Sequence, residues 1–143
     1  MDETRAKGPE VTDQGEFDGI ELTIPAQPNL LYLVRMTAGV VAARADLDLD
    51  DVEDLRLAVD ELCLPFMDPT GRLRLRYGWD GETIEISCTA LGSAEPATGQ
   101  AEELRDELSA LILDALVDEH GQVATDGGIR AWLKLRRPGP AVP

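Results

Sequence analysis

The stretch LRLAVDELCLPFM, residues 55–67, decides the fold. Leu55, Val59, Leu62 and Phe66, with Val52 one turn earlier, recur at helical spacing and make one apolar stripe. Asp50 and Asp51 stand where the first turn should be, and the helix dipole favours acids there. Asp60 and Glu61 lie near the other end. Pro65, followed by Pro69, removes a backbone donor and stops the helix. Read alone, Asp60 and Glu61 are a solvated acidic pair on such a helix.

Upstream, Ile20, Leu22 and Ile24 alternate with Glu21 and Thr23, the pattern of a half-buried strand closed by Pro25. Pro28-Asn29 opens a helix to about Arg44, with Leu30, Leu33, Val34, Thr37, Ala38 and Val41 along its apolar side. Downstream, Leu73, Leu75 and Tyr77 and then Ile84, Ile86 and Cys88 are the arms of a hairpin joined by a Gly78-Trp79-Asp80-Gly81 turn. Residues 90–100 read as a loop. A third helix is predicted over Ala101–Glu119, with Leu104, Leu108, Leu111, Ile112, Ala115 and Leu116 inward. Val123 to Thr125, an Asp126-Gly127-Gly128 turn and Ile129 to Arg136 make a closing hairpin. Residues 1–18 carry six acids and two bases without periodicity and read as a disordered acidic tail. Residues 19–137 form one domain, and 138–143 are a flexible tail.

The order strand, helix, helix, hairpin, helix, hairpin gives an α+β fold, a two-layer sandwich with helices on one face of a mostly antiparallel sheet. Charge agrees with it. Arg72, Arg74, Arg76, Arg130, Lys134 and Arg136 take the non-core parity of their strands, so the open sheet face is expected to be basic. The helices are acidic: residues 46–61 hold eight acids against one arginine, and residues 95–119 hold the same numbers.

The net charge of −15 argues against a nucleic-acid partner, which needs a basic footprint, and suits a basic protein partner. No apolar run approaches the ~20 residues of a membrane span, and a cytoplasmic protein is expected. Cys63 and Cys88 fall on core-facing positions and are expected to be buried, reduced thiols. DLDLDD, residues 46–51, is a poor calcium loop, with Asp51 where glycine belongs and Leu57 where glutamate belongs. His120, beside Gly121, is expected to cap the third helix rather than act as a base.

From about Glu21 to Arg137 the layout resembles the anti-sigma-factor serine kinases, a bacterial branch of the GHKL (Bergerat) ATPase fold. The resemblance runs through IELTIPAQPNLLYLVR, LRLAVDELC, ELSALILDALVDEH and DGGIRAWLKLRR. LRLAVDE is its one strong local motif, and it is similar to the nucleotide-box helix. The shortened actinobacterial members that regulate stress and sporulation sigma factors are the nearest in form. The resemblance implies an alternative sigma factor and an anti-anti-sigma protein of the STAS type as partners, and a homodimer.

For chemistry, the resemblance implies three things. Glu61 matches the general base, and Asp60, Glu61, Gly92 and Gly99 match a nucleotide site. The asparagine that holds the magnesium-nucleotide is replaced by Pro65. The aspartate that reads adenine is replaced by Ala90, in Ala90-Leu91-Gly92-Ser93-Ala94, and no Lys or Arg occurs from Thr89 to Ala101. A degenerate site with no cofactor is therefore expected, against an alternative in which an active serine kinase uses ATP and Mg²⁺. The resemblance also places the partner surface on the first helix. Arg35 is the only charge between Leu30 and Ala43 and stands beside the exposed members of Leu31, Tyr32 and Met36. A bland alternative for Arg35 is a side chain that snorkels from the helix flank.

Overall fold

A computed structural model describes residues 19–92, 99–125 and 128–136. The two tails and most of the Asp126-Gly127-Gly128 turn lie outside the described residues. The chain enters through strand β1 (Ile20–Pro25) and a single 3₁₀ turn, Pro28–Leu30. Helix α1 (Leu31–Arg44) and helix α2 (Leu49–Cys63) follow. Between them Asp46 adopts a positive φ of 61°, a conformation that Asp tolerates better than most residues. Asp48 caps α2, its carboxylate accepting from the Asp51 N–H at 2.8 Å.

A second 3₁₀ turn, Leu64–Phe66, carries Pro65 and ends the helix where the proline predicts. Strands β2 (Arg72–Trp79) and β3 (Thr83–Leu91), helix α3 (Gln100–Leu116), and strands β4 (Glu119–Thr125) and β5 (Gly128–Arg136) complete the chain. The first hairpin turn begins two residues later than expected. Gly78 and Trp79 remain in β2, and the Asp80 carboxylate accepts from the N–H groups of Glu82 and Thr83.

The five strands form one antiparallel sheet in the order β1-β2-β3-β5-β4. Leu73, Leu75, Tyr77, Ile86, Cys88 and Leu133 are wholly buried from the sheet side. Val34, Ala38 and Val41 of α1 and Leu55, Ala58, Val59 and Cys63 of α2 meet them. Strand parity is as expected for Arg74, Arg76, Arg130 and Lys134, which alternate with the buried positions on the far face, whereas Arg72, the first residue of β2, is exposed at the strand's end. That face is less open and less purely basic than charge counting implies. Arg76 is only 7% exposed, and Glu21, one strand over, lies 3.5 Å from Arg74 and 3.7 Å from Arg76. Glu85 pairs with Lys134 and Glu119 with Arg136 in the same cross-strand manner. Near the edge Gly121 faces the Trp132 ring, where a Cβ would sit 3.1 Å from the indole.

The third helix departs from expectation twice. It ends at Leu116, because Val117 turns extended and Asp118 N–H bonds the Lys134 carbonyl, so Glu119 and His120 begin β4. His120 is therefore not a helix cap by its backbone; its ring lies 2.6 Å from the carboxylate of Asp114, in the last turn of α3. Its inward face is also different. Leu104, Leu108 and Leu111 are exposed, as is Ala115, while Ser109 and Leu113 are buried and Ile112 and Leu116 half-buried. The helix carries apolar residues on two sides, and the packed side uses small residues, Ser109 and Ala110, that allow close approach.

Two stability consequences follow. Cys63 and Cys88 are both buried and unbridged. A hydrogen bond between the two thiols, together with burial, pushes the Cys63 thiol well above its ordinary range. Neither should react with a thiol reagent at pH 8 faster than the protein opens, and urea should accelerate both together; rapid native-state labelling of either would contradict the packing. The Tyr77 hydroxyl donates to the Val34 carbonyl at 3.1 Å, and burial raises its pKa strongly. Tyr77→Phe is expected to cost about 1 kcal/mol in urea unfolding, since the carbonyl it abandons keeps its helical partner.

Candidate functional site

Where α2 breaks, the chain is tied back to the sheet. Asp68 N–H bonds the Ala26 carbonyl, Ala26 N–H bonds the Gly71 carbonyl, and the Asp68 carboxylate holds the Thr70 N–H and hydroxyl. This fixes Leu64–Pro69 as one wall of a groove of about 450 Å³. The ends of β2 and β3 lie along it through Gly71, Arg72, Ala90, Leu91 and Gly92. Gly92 has φ +118°, and a Cβ there would lie 3.4 Å from the Gly71 Cα. Helix α3 supplies the opposite wall with Glu102, Arg105 and Asp106.

The groove thus brings Pro65 together with Ala90 and Gly92, which lie 25 and 27 residues further along the sequence. Its ionisable lining comprises three acids (Asp68, Glu102 and Asp106) and two arginines (Arg72 and Arg105). Both arginines lie outside the base-free segment from Thr89 to Ala101. Arg105 stands out in the sequence as the lone base of an acidic helix, whereas the strand parity of Arg72 points to the far sheet face.

The adjacent acids of α2 diverge. Glu61 turns to α3, its carboxylate accepting from the Ser109 hydroxyl at 2.7 Å. It lines a smaller cavity of about 60 Å³, which shares Pro65, Asp106 and Gln122 with the main groove. Asp60 turns to α1 instead, and both its oxygens lie within hydrogen-bond distance of Arg35 Nη1, at 3.1 and 3.0 Å. Burial raises the Asp60 pKa, and the Arg35 guanidinium works against that shift. Neither acid lines the main groove. Gly99 precedes the first residue of α3 and is also outside its lining. Among the described residues no group of three or more His, Cys, Asp or Glu is placed to hold a metal ion.

On α1 the structure separates the three residues expected beside Arg35. Leu31 is 6% exposed and belongs to the core, which corrects its expected place on a partner surface. Helical geometry accounts for this, because Leu31 shares its face with the buried Val34, Ala38 and Val41. Tyr32 and Met36 are exposed, at 48% and 58%, and Val40 continues their side. Arg35 lies between the two faces, with its side chain 36% exposed. Among the described residues no helix is long and apolar enough to cross a membrane.

No family model matches the chain. Curated relatives do. The serine-protein kinase RsbW of Bacillus velezensis is 35% identical over 122 residues, covering 81% of this chain and 71% of that protein. RsbW of a Bacillus licheniformis strain is 28% identical over 133 residues, covering 78% of this chain and 81% of that protein. RsbW of Bacillus subtilis is 33% identical over 75 residues, and there the chain spans about half of the relative's length, 47%. With the open antiparallel sheet and its three helices in place, the chain belongs to the RsbW family of anti-sigma-factor serine kinases.

Proposed function

We propose that this protein is a binding regulator that sequesters an alternative sigma factor by steric occlusion and is released by a STAS-type anti-anti-sigma protein, without phosphoryl transfer. The observation that carries this reading is the groove. Where the resemblance calls for an amide to hold a magnesium-nucleotide, the wall is Pro65, with no side-chain donor or acceptor and no backbone N–H. Ala90 offers no carboxylate to an adenine amino group. Three acids outnumber the two arginines that could meet phosphates. These residues do not fit ATP with Mg²⁺.

Occlusion needs a surface and no turnover. The α1 face around Arg35, Tyr32 and Met36 supplies it, and the acidic charge of the chain suits a basic, DNA-binding partner. The protein acts in the cytoplasm as a homodimer under this proposal. One observation favours a second reading, an active kinase with Glu61 as base: Arg72 and Arg105 do line the groove, and Glu61 lies behind its shared wall. Transcription by a reconstituted sigma-loaded polymerase separates the two. The protein should inhibit it equally with and without ATP, and addition of the STAS partner should relieve inhibition without nucleotide. Relief that requires ATP would favour the kinase.

A further inference from the structure

Among the described residues nine large hydrophobic side chains are exposed, and all nine sit on the helical layer: three on α1, three on α2 with its 3₁₀ extension, and three on α3. Scattered exposed leucines are ordinary, but the α3 set is not scattered. Leu104, Leu108 and Leu111 are 68%, 57% and 64% exposed and follow one another at helical spacings of four and three. They form a ridge on the side of α3 opposite Leu113, the residue that anchors the helix in the core. Glu103, Glu107 and, two turns further on, Asp114 lie along one border of that ridge. The His120 ring approaches Asp114 from β4, which identifies this border as the one toward the sheet edge. On the other side Glu61 and Ser109 join α3 to α2, which has exposed leucines of its own, Leu57 and Leu64.

We propose that the α3 ridge is a docking surface for a basic amphipathic helix of a protein partner. Leu104, Leu108 and Leu111 would seat the partner's apolar side chains, and Glu103 and Glu107 would meet its lysines or arginines. An apolar ridge at this spacing is what helix-in-groove recognition requires of one side. The acidic border decides the occupant. A second copy packed antiparallel on the ridge would set Glu103, Glu107 and Asp114 against their own counterparts at close range. An anionic membrane surface is disfavoured by the same charge. The proposal does not rest on the anti-sigma reading, because it lies on a different helix from Arg35 and asks only for a partner helix of this chemistry.

The test uses the full chain, isotopically labelled, titrated with a synthetic amphipathic helix whose apolar face is leucine and whose flanks are lysine and arginine. The same peptide with glutamate flanks is the control. Saturable shifts should appear in α3 and the adjoining outer face of α2, should weaken with salt, and should be absent with the acidic peptide. Leu108→Glu should reduce affinity about fivefold or more without moving the unfolding midpoint, since the side chain is exposed. Glu103→Lys with Glu107→Lys should reverse the preference between the two peptides. Equal binding of both peptides, or saturation without shifts in α3, would overturn the proposal. So would a dimer in sedimentation that Leu108→Glu dissolves, because a second copy would then be the occupant.

Discussion

Arg35→Glu is expected to weaken sigma-factor binding by more than tenfold, about 1.4 kcal/mol or greater. The structure makes the effect separable into two parts. Arg35 already holds Asp60, and a glutamate at position 35 would face that carboxylate and disturb the α1–α2 contact as well as any partner contact. With both side chains about a third exposed, the pair itself should contribute no more than about 1 kcal/mol to stability. The charge-swapped variant, Arg35→Glu with Asp60→Arg, restores an ion pair across the same helices. If Arg35 only braces α1, the swap should recover both the unfolding midpoint and sigma affinity. If Arg35 meets the partner, the midpoint should recover and the affinity should not. The second outcome is expected, and unchanged affinity in folded Arg35→Glu would remove this helix from the interface.

That pair also marks how far the sequence alone could reach. Arg35 was conspicuous as a lone charge on an apolar helix, but its partner lies 25 residues away on another helix, and no local spacing links them. Strand parity was legible because one buried face forces alternation, so Leu73, Leu75 and Tyr77 announce themselves. The face of α3 was not legible. Its sequence satisfies a helical stripe at Leu104, Leu108 and Leu111 and another at Ser109, Leu113 and Leu116, and periodicity cannot say which one meets the core. Choosing the larger residues was wrong here because packing against α2 and the sheet uses a serine bonded to Glu61 and an alanine beside it. The groove was half legible. Pro65 and Ala90, the positions that the resemblance singled out, do line it, whereas Arg72 and Arg105 reach it only through tertiary placement.

Titration with ATP and Mg²⁺ is expected to show no saturable binding below millimolar nucleotide, and no phosphate should reach a STAS partner. Under the proposed reading the pocket lacks an amide and an adenine-reading carboxylate, two polar contacts of about 1–3 kcal/mol each. At about 1.4 kcal/mol per tenfold, that takes micromolar affinity to millimolar or weaker. The charges lining the groove do not offset the loss, since Asp68, Glu102 and Asp106 stand against Arg72 and Arg105. Glu61 is occupied too: its carboxylate accepts from Ser109 and lines the smaller cavity rather than the main groove. Glu61→Ala should therefore leave sigma inhibition intact and cost about 1 kcal/mol of stability, from the hydrogen bond that Ser109 loses. The converse variant, Pro65→Asn with Ala90→Asp, should gain measurable nucleotide affinity if those two positions are the cause. Phosphotransfer by the unaltered protein, abolished by Glu61→Ala, would mean instead that Arg72 and Arg105 suffice for the phosphates and that Glu61 leaves Ser109 to act as base.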